Sequence, residues 1–450
     1  MRRKTKLVIT AIAAVLLIPP LCYKAVLYLR HSAGPAGELI SFTLDGSDYY
    51  PGTTRTINVY IPKEYRGDEA ACAIVRLDGF NNSMMLILDD LIREGSVPPA
   101  IGIGIAPGMV CSPDGEVIRN NRSYEFDRMT GTLAEFIETE VIPAVESRTA
   151  GDGRRIMISR RPGDRMITGG SSGAIAAFNA AWQRPDLYSR VFSVIGSFVP
   201  MRGGDSFPAL IRKTEPKPVR VFLQDNDEDS WNRIFGSWYE YNRLMASALE
   251  FAGYDAYFHW GKGGHSGANA LAKAKDALRF LWKGWPEGIE VPEGENELLS
   301  ELLIPGEGWT PCDSLGADPS TEALYPGGSF IARPKAHTNC IRTAFLDENG
   351  IERHENDFYW LHQEEGDDES GRCLAFDAEG FLYASSALGI QVCDHKGRVR
   401  AILNVPAGGL ESFSFADDRL YVKVDGKCFS RRIAHRASTA DSPRPVVPEE

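Results

Sequence analysis

From Ser41 to Trp282 short apolar runs alternate with amphipathic segments, and this rhythm constrains the fold more tightly than any single motif. Thr54 to Ile61 alternates polar and apolar residues until Pro62 stops it, the pattern of a half-buried strand. Ala73 to Leu77 and Ala100 to Ile105 are apolar runs closed by Asp78-Gly79 and Pro107-Gly108, as expected of buried parallel strands. Val191 to Ser197, Val219 to Leu223 and Asp255 to Trp260 repeat the type. Between them, Met84 to Glu94, Thr132 to Glu146, Phe235 to Phe251 and Ala268 to Trp282 read as helices; in the second, Leu133, Phe136, Ile137 and Val141 share a face. Alternation of this kind predicts an α/β fold, an open and mostly parallel sheet covered on both faces. Reactive groups in such sheets gather at the carboxyl ends of the strands.

One strand end stands out. Arg165 to Thr168 is strand-like, Gly169-Gly170-Ser171-Ser172-Gly173 is a Gly-x-Ser-x-Gly turn, and Ala174 to Phe178 opens an Ala-rich helix. A sharp strand-to-helix turn of this composition holds a serine hydroxyl out at the top of a sheet, and a Cβ at either glycine would collide with the neighbouring strand or helix. With 44 Gly in 450 residues, the pentapeptide takes its weight from its context. A serine nucleophile needs a base, and the base needs an orienting group. Between Ser32 and Ser300 there are two histidines. His259 lies inside a strand pattern, whereas His265 follows Gly261-Lys262-Gly263-Gly264 in a loop before the last helix, where a base belongs. The acid is expected between serine and histidine in chain order. Gln224 to Asp229 offers several carboxylates: Asp229 is best placed, Asp225 is the runner-up, and Asp227 and Glu228 read as a solvated loop. Two backbone amides must hold the oxyanion of acyl transfer, one from Ser172 after the nucleophile and one from Phe80 in the loop after the third strand. Trp231, Trp238 and Trp260 read either as a stacking wall for a sugar or aromatic ring or as core.

The N-terminus reads differently. Arg2, Arg3, Lys4 and Lys6 precede an apolar run from Leu7 to Ile18, then Pro19-Pro20 and a second apolar piece from Ala25 to Leu29. This is the form of an export signal, and the nearest small-residue cleavage site, Ser32-Ala33-Gly34, lies well downstream. Residues 1–35 are therefore expected to be an uncleaved membrane anchor rather than a cleaved signal, with the rest of the chain on the periplasmic or extracellular face. A net charge of −12, with no basic stripe beyond this segment, argues against a nucleic-acid partner. The eight cysteines form no Cys-x-x-Cys pair, so zinc-type spacing is absent and no metal or cofactor is expected. Five of the eight follow residue 300, enough for a disulfide or two in an exported C-terminal part.

Residues 285–303, with Pro286 and Pro292 among Glu and Gly, read as a linker after a domain spanning 36–284. Beyond it an acidic Gly turn recurs between strand-like pieces, at Leu346 to Gly350, Phe376 to Tyr383, Cys393 to Gly397 and Phe415 to Tyr421. Strand pairs with such turns are blade-like, and 304–435 is long enough for at most two or three blades, a partial propeller. The tail 436–450, rich in Pro, Ser and charge, reads as disordered.

Residues 41 to 284 resemble the esterase group related to enterochelin esterase and to the carbohydrate esterases that remove acetyl or feruloyl groups. The residues carrying the likeness are Pro51 to Arg55, Leu77-Asp78-Gly79, Asn121 to Asp127, Gly169 to Phe178, Val221 to Asp225, and Phe251 to Asp255 leading to Gly263-Gly264-His265. The resemblance implies an α/β-hydrolase fold and ester hydrolysis through Ser171, His265 and an aspartate. Relatives tend to have Gly-x-Asn-Asp after the Gln-Asp, an alignment that supports Asp229. The C-terminal part resembles the gluconolactonase or SMP-30 propeller family through Ile304 to Trp309 and Phe376 to Val392; Arg372 and Ser412 stand where that family's metal ligands fall. Together these readings predict a serine esterase of an exported small-molecule or polysaccharide ester. Against it stand an inactive hydrolase-fold binding or scaffold protein, a propeller-gated peptidase and a metal-dependent lactonase in the C-terminal part. Nothing in the sequence fixes the oligomeric state.

Overall fold

The computed structural model describes residues 34–366 and 373–447. Nearly all of the segment read as a membrane anchor, together with Cys22 and Arg372, lies outside these residues. Among the described residues no helix is long and apolar enough to cross a membrane.

The first half is built on one ten-stranded sheet. Its strands are β1 (Glu38–Asp45), β2 (Thr54–Ile61), β3 (Cys72–Leu77), β4 (Ala100–Ile105), β5 (Met109–Cys111), β6 (Val117–Asn120), β7 (Arg165–Gly170), β8 (Arg190–Val194) and β9 (Arg220–Asn226). After a two-residue hairpin, β10 (Trp231–Asn232) with β11 (Gly236–Ser237), β12 (Ala256–Gly261) completes it. The order is β12-β9-β8-β7-β3-β4-β2-β5-β6, with β1 on β2. From β12 to β4 every pairing is parallel, while β2 runs antiparallel to β4 and β1 antiparallel to β2. This mixed, mostly parallel sheet is the α/β-hydrolase architecture.

Helix α1 (Asn82–Arg93) is followed by α2 (Arg122–Phe126), α3 (Thr132–Phe136), α4 (Ile142–Glu146), α5 (Ser172–Gln183), α6 (Phe207–Lys213), α7 (Trp238–Phe251) and α8 (Ala268–Trp282). On one face Met84, Leu88 and Leu91 of α1 and Ala274, Leu278 and Leu281 of α8 cover Ile74, Met166 and Phe222. On the other, Phe136, Phe178, Phe207 and Leu249 pack on Val75, Ile103, Ile167 and Val221. Burial on both faces explains why these strands read as apolar runs.

Several expected boundaries moved. Thr132 to Glu146 is not a uniform helix: a π-helical stretch, Ile137–Val141, joins α3 to α4, and the Ile142 amide reaches back to the Ile137 carbonyl. Pro143 explains it, because its ring lacks the amide that would close an ordinary turn. Strand β8 stops at Val194, where Ile195 turns left-handed at φ 45°. Strand β9 runs on to Asn226, so Asp225 belongs to the strand and not to the loop.

Among its described residues the second half holds three separate four-stranded antiparallel sheets and no closed sheet. The expected linker ends in α9 (Glu297–Leu302), whose Leu298, Leu299 and Leu302 are buried in a core, while 285–297 contains no buried residue. The first strand, β13 (Thr310–Cys312), is followed by β14 (Ala323–Leu324), β15 (Phe330–Pro334), β16 (Cys340–Leu346) and β17 (Glu352–Trp360), which form one sheet. A second comprises β18 (Leu374–Phe376), β19 (Leu382–Ser386), β20 (Gly389–Cys393) and β21 (Val399–Leu403). The third pairs β22 (Leu410–Ala416), β23 (Arg419–Val424) and β24 (Lys427–Arg432) with β13. All four of the acidic turns read from sequence fall at hairpins within the sheets, the fourth an Asp417-Asp418 turn without glycine. The start of the tail is tied down: the Ala437 and Ser438 amides donate to the Asp417 and Phe376 carbonyls. The seven described cysteines are free thiols, with Cys312 opposite Cys428 across β13 and β24.

The halves meet along α6 and β21. Thr214 bridges to Ile402, Glu215 pairs with the nearly buried Arg431 at 2.8 Å, and the Asn296 carboxamide donates to the carbonyls of Arg212 and Arg400.

Candidate active site

Strand β7 delivers Ser171 at the carboxyl edge of the sheet with φ 58° and ψ −121°, a conformation that costs a non-glycine residue on the order of 1–3 kcal/mol. Its surroundings hold it there: the Ser171 amide donates to the Val194 carbonyl at 3.0 Å, and the Ser197 amide donates to the Ser171 carbonyl at 3.2 Å. A side chain at Gly169 would collide with the Gly173 carbonyl, and one at Gly173 would press on Asp78, so both glycines are required by close approach.

His265 lies in the loop between β12 and α8, as expected, and its Nε2 is 2.9 Å from Ser171 Oγ. Its Nδ1 is 2.5 Å from Oδ1 of Asp229, which also accepts the Ser230 amide at 2.5 Å. Burial opposes ionisation of Asp229, but hydrogen bonds from His265, Asp225 and Ser230 hold its carboxyl below the usual carboxylate range. The structure thus brings Ser171, His265 and Asp229 together. His259 sits within β12 opposite Gln224.

Asp227, expected as part of a solvated loop, has a closer role. Its carboxylate pairs with Lys262 and accepts the Gly263 amide at 3.1 Å, clamping the strand of chain that leads to His265. Asn226 holds the same loop from inside, donating to the carbonyls of Gly264 and Ser266 at 2.8 and 2.9 Å. Sequence reasoning missed Asn226, although its place directly after the Gln-Asp that ends the strand was a signal.

Ser197 was missed, and Trp238, read as stacking wall or core, is its partner. The Trp238 indole donates to Ser197 Oγ at 3.0 Å, and Ser197 Oγ is 3.1 Å from Ser171 Oγ. Since the indole is only a donor, it fills an acceptor site on Ser197 and leaves the hydroxyl hydrogen free to point at Ser171. Trp238, only 8 % exposed, is therefore a buried neighbour of the site, its ring edge-on to His265 with centroids 6.2 Å apart. Trp260 stacks on Phe258 within β12, leaving Trp231, 67 % exposed, as the open one of the three tryptophans.

The Ser172 amide opens α5 beside Ser171, and the Phe80 amide lies against Gly104 of β4, where a side chain would strike it. Neither amide has a backbone or side-chain acceptor among the described residues. Below them Arg122 grips Asp78 with two hydrogen bonds of 2.8 Å and donates to the Gly170 carbonyl at 3.2 Å.

A cavity of about 710 Å³ lies at the junction of the two halves, lined by Phe251, Trp309 and Arg431, and no member of the Ser171 cluster borders it. Asp377, Glu379 and His435 in the C-terminal sheets are close enough to share a cation. Asp377 already accepts the Phe381 amide, the Tyr383 hydroxyl and His435 Nδ1, which accounts for the group as a structural knot.

Residues 49–265 match the family described as "Putative esterase", a match that supports carboxylic ester hydrolysis by this part of the chain. No curated protein matches the chain. Among solved structures the chain is similar to the enterobactin esterase FES from Shigella flexneri at 17% identity and a TM-score of 0.40, covering 56% of this chain and 61% of that one. It is also similar to a ferulic acid esterase at 16% identity and a TM-score of 0.42, over 55% and 98% of the two chains. A feruloyl esterase module from Clostridium thermocellum is similar at 17% identity and a TM-score of 0.40, over 56% and 90%. The chain spans about three fifths of the length of the enterobactin esterase.

Proposed function

We propose that this ester hydrolase works through Ser171, His265 and Asp229 on an acylated carbohydrate or similar ester outside the cytoplasm. The observation that carries the reading is the unbroken run of contacts from Ser171 Oγ through His265 to Asp229, 2.9 and 2.5 Å, ending on a serine held in a strained turn. In the first step Ser171 attacks the ester carbonyl while His265 Nε2 takes its proton; Asp229 keeps the Nδ1 hydrogen in place and favours the imidazolium that forms. The oxyanion accepts hydrogen bonds from the unpartnered Ser172 and Phe80 amides. Collapse expels the alcohol, protonated by His265, and water repeats the sequence on the acyl-enzyme.

Turnover of p-nitrophenyl acetate tests the core of this. Ser171→Ala should lose at least about a thousandfold in kcat and should no longer be labelled by a fluorophosphonate. Equal rates in the two proteins would overturn the reading and favour an inactive hydrolase-fold binding protein. The exposed Trp231 beside the acid supports a ring-bearing substrate, since an indole face stacks on a sugar or phenol. Acetylated xylan, feruloyl esters and catechol siderophore esters, screened side by side, separate the classes. The basic, then apolar N-terminal sequence supports export and anchoring, read out by fractionation of the full chain. The three small antiparallel sheets, with acidic Gly hairpins, support a partial propeller appended to the hydrolase.

A further inference from the structure

Asp225 is fully buried, in the last turn of pleat before β9 ends. Its Oδ1 accepts the Asn226 amide at 2.8 Å, and its Oδ2 has no donor. Asp229 shows the same asymmetry: Oδ1 is occupied by His265 and the Ser230 amide, whereas Oδ2 is buried with no donor. The two carboxyls are hydrogen-bond neighbours. Facing them from α7 is Asn242, whose Nδ2 donates to the Gly196 and Trp238 carbonyls and exerts only the smallest downward pull on the Asp225 carboxyl, and whose Oδ1 is also buried without a donor. Among the described residues no Lys or Arg pairs with either aspartate, and the ring that meets Asp229 is that of His265, through Nδ1. A pocket lined with carboxyl oxygens and short of donors is satisfied only if a proton resides in it, because two carboxylates in contact without a cation cannot both ionise.

We propose that Asp225 is un-ionised in the folded enzyme and donates its Oδ2 hydrogen to Oδ2 of Asp229, so that the aspartate orienting His265 is itself oriented by a fourth side chain. The proton belongs on Asp225 because Asp229 is the carboxyl that accepts two donated hydrogen bonds, one of them from the histidine, and a carboxylate is favoured where donors converge. Burial, then the hydrogen bond and charge of Asp229, push the Asp225 carboxyl up to about 9. Asp225 touches no reacting atom; it is a positioning residue. It fixes the plane of the Asp229 carboxylate and thereby the imidazole. The inference rests on the proposed roles of Ser171, His265 and Asp229, and its test is arranged so that the two stand or fall separately.

The first measurement needs no activity. In the Ser171→Ala protein at pH 7, infrared difference spectra should contain the carbonyl stretch of one un-ionised carboxyl group, and adding Asp225→Asn should remove it. Absence of that band overturns the proposal whatever Ser171 does; its presence together with full turnover by Ser171→Ala overturns the triad and leaves the proton where it is. The second measurement is kinetic. Asp225→Asn keeps a donor aimed at Asp229 and should stay within about threefold of wild-type kcat, with the acid limb of kcat/KM unmoved, while Asp225→Ala should lose about tenfold in kcat at constant KM. If Asp225 were ionised, the asparagine would delete a charge beside Asp229, and the acid limb would move to lower pH; that result, or equal losses in the two variants, refutes the proposal. The third is stability. A carboxyl raised from 3.8 to about 9 contributes stability that is complete below about pH 4 and lost as pH rises toward 9. Asp225→Asn should therefore raise the melting temperature more at pH 8 than at pH 4, and an equal shift at both pH values would count against the buried proton.

Discussion

At the scale of single residues, the nucleophile has two hydrogen-bonding neighbours and not one. In the proposed reaction His265 takes the Ser171 hydrogen, while Ser197, held by the Trp238 indole, is free to offer one. A hydroxyl aimed at an oxygen that gains negative charge during attack stabilises that charge, and it also fixes the rotamer from which the serine attacks. Ser197→Ala should therefore lower kcat about tenfold with little change in KM, as steady-state hydrolysis of p-nitrophenyl acetate would register. Trp238→Phe, which removes the indole donor but keeps the ring, should produce a smaller loss in the same assay. That Ser171, His265 and Asp229 come together could be read from sequence, because the roles proposed for them impose chain order and turn composition. Ser197 could not, since a serine after a strand has no distinctive spacing; it becomes visible only when the left-handed turn at Ile195 sends the chain back past Ser171.

Among the elements, α2 is short, and packing of its apolar surface alone is a weak anchor. It is held by the buried Arg55–Glu125 pair, with contacts of 2.6 and 3.0 Å, side chains 1% and 0% exposed, and the Gly108 amide also donating to Glu125. That anchor matters because α2 begins with Arg122, which reaches Asp78 and the Gly170 carbonyl beneath the nucleophile turn. Glu125→Ala leaves a guanidinium buried without its partner and should cost about 3–5 kcal/mol in urea denaturation, and Arg55→Met combined with Glu125→Leu should recover much of it. The alternation of apolar runs predicted this sheet well: Thr54 to Ile61, Ala100 to Ile105 and Ala268 to Trp282 have the ends read from sequence. The ion pair was out of reach because its halves lie 70 residues apart and belong to no periodic pattern. The π-helical stretch before Pro143 was legible in principle, since the proline marked where an ordinary helix would fail.

For the whole molecule, the two halves share an interface whose polar centre is Glu215. It pairs with Arg431 of β24, accepts the Asn404 amide at 3.1 Å, and is itself nearly buried. Glu215→Ala should loosen the C-terminal sheets at a cost of about 3–5 kcal/mol, seen as faster hydrogen exchange in β21 to β24, with turnover of a small acetate ester unchanged. Unchanged exchange would mean that the apolar contacts around α9 alone hold the halves together. Sequence reasoning marked four of the acidic hairpins in this region but not the Asp425-Gly426 turn between β23 and β24, nor how the hairpins group, because strands β13 and β24 pair across more than a hundred intervening residues. That pairing sets an order of events at the ribosome. Every strand of the hydrolase sheet and its closing helix α8 have been made by Trp282, so that half has all it needs to fold while the second is still being translated. Strand β13 emerges soon after and then waits with an open edge through the synthesis of two whole sheets and two strands of its own. Its partner is the final strand to be born, and until β24 arrives the enzyme carries a finished esterase half and an unlatched companion.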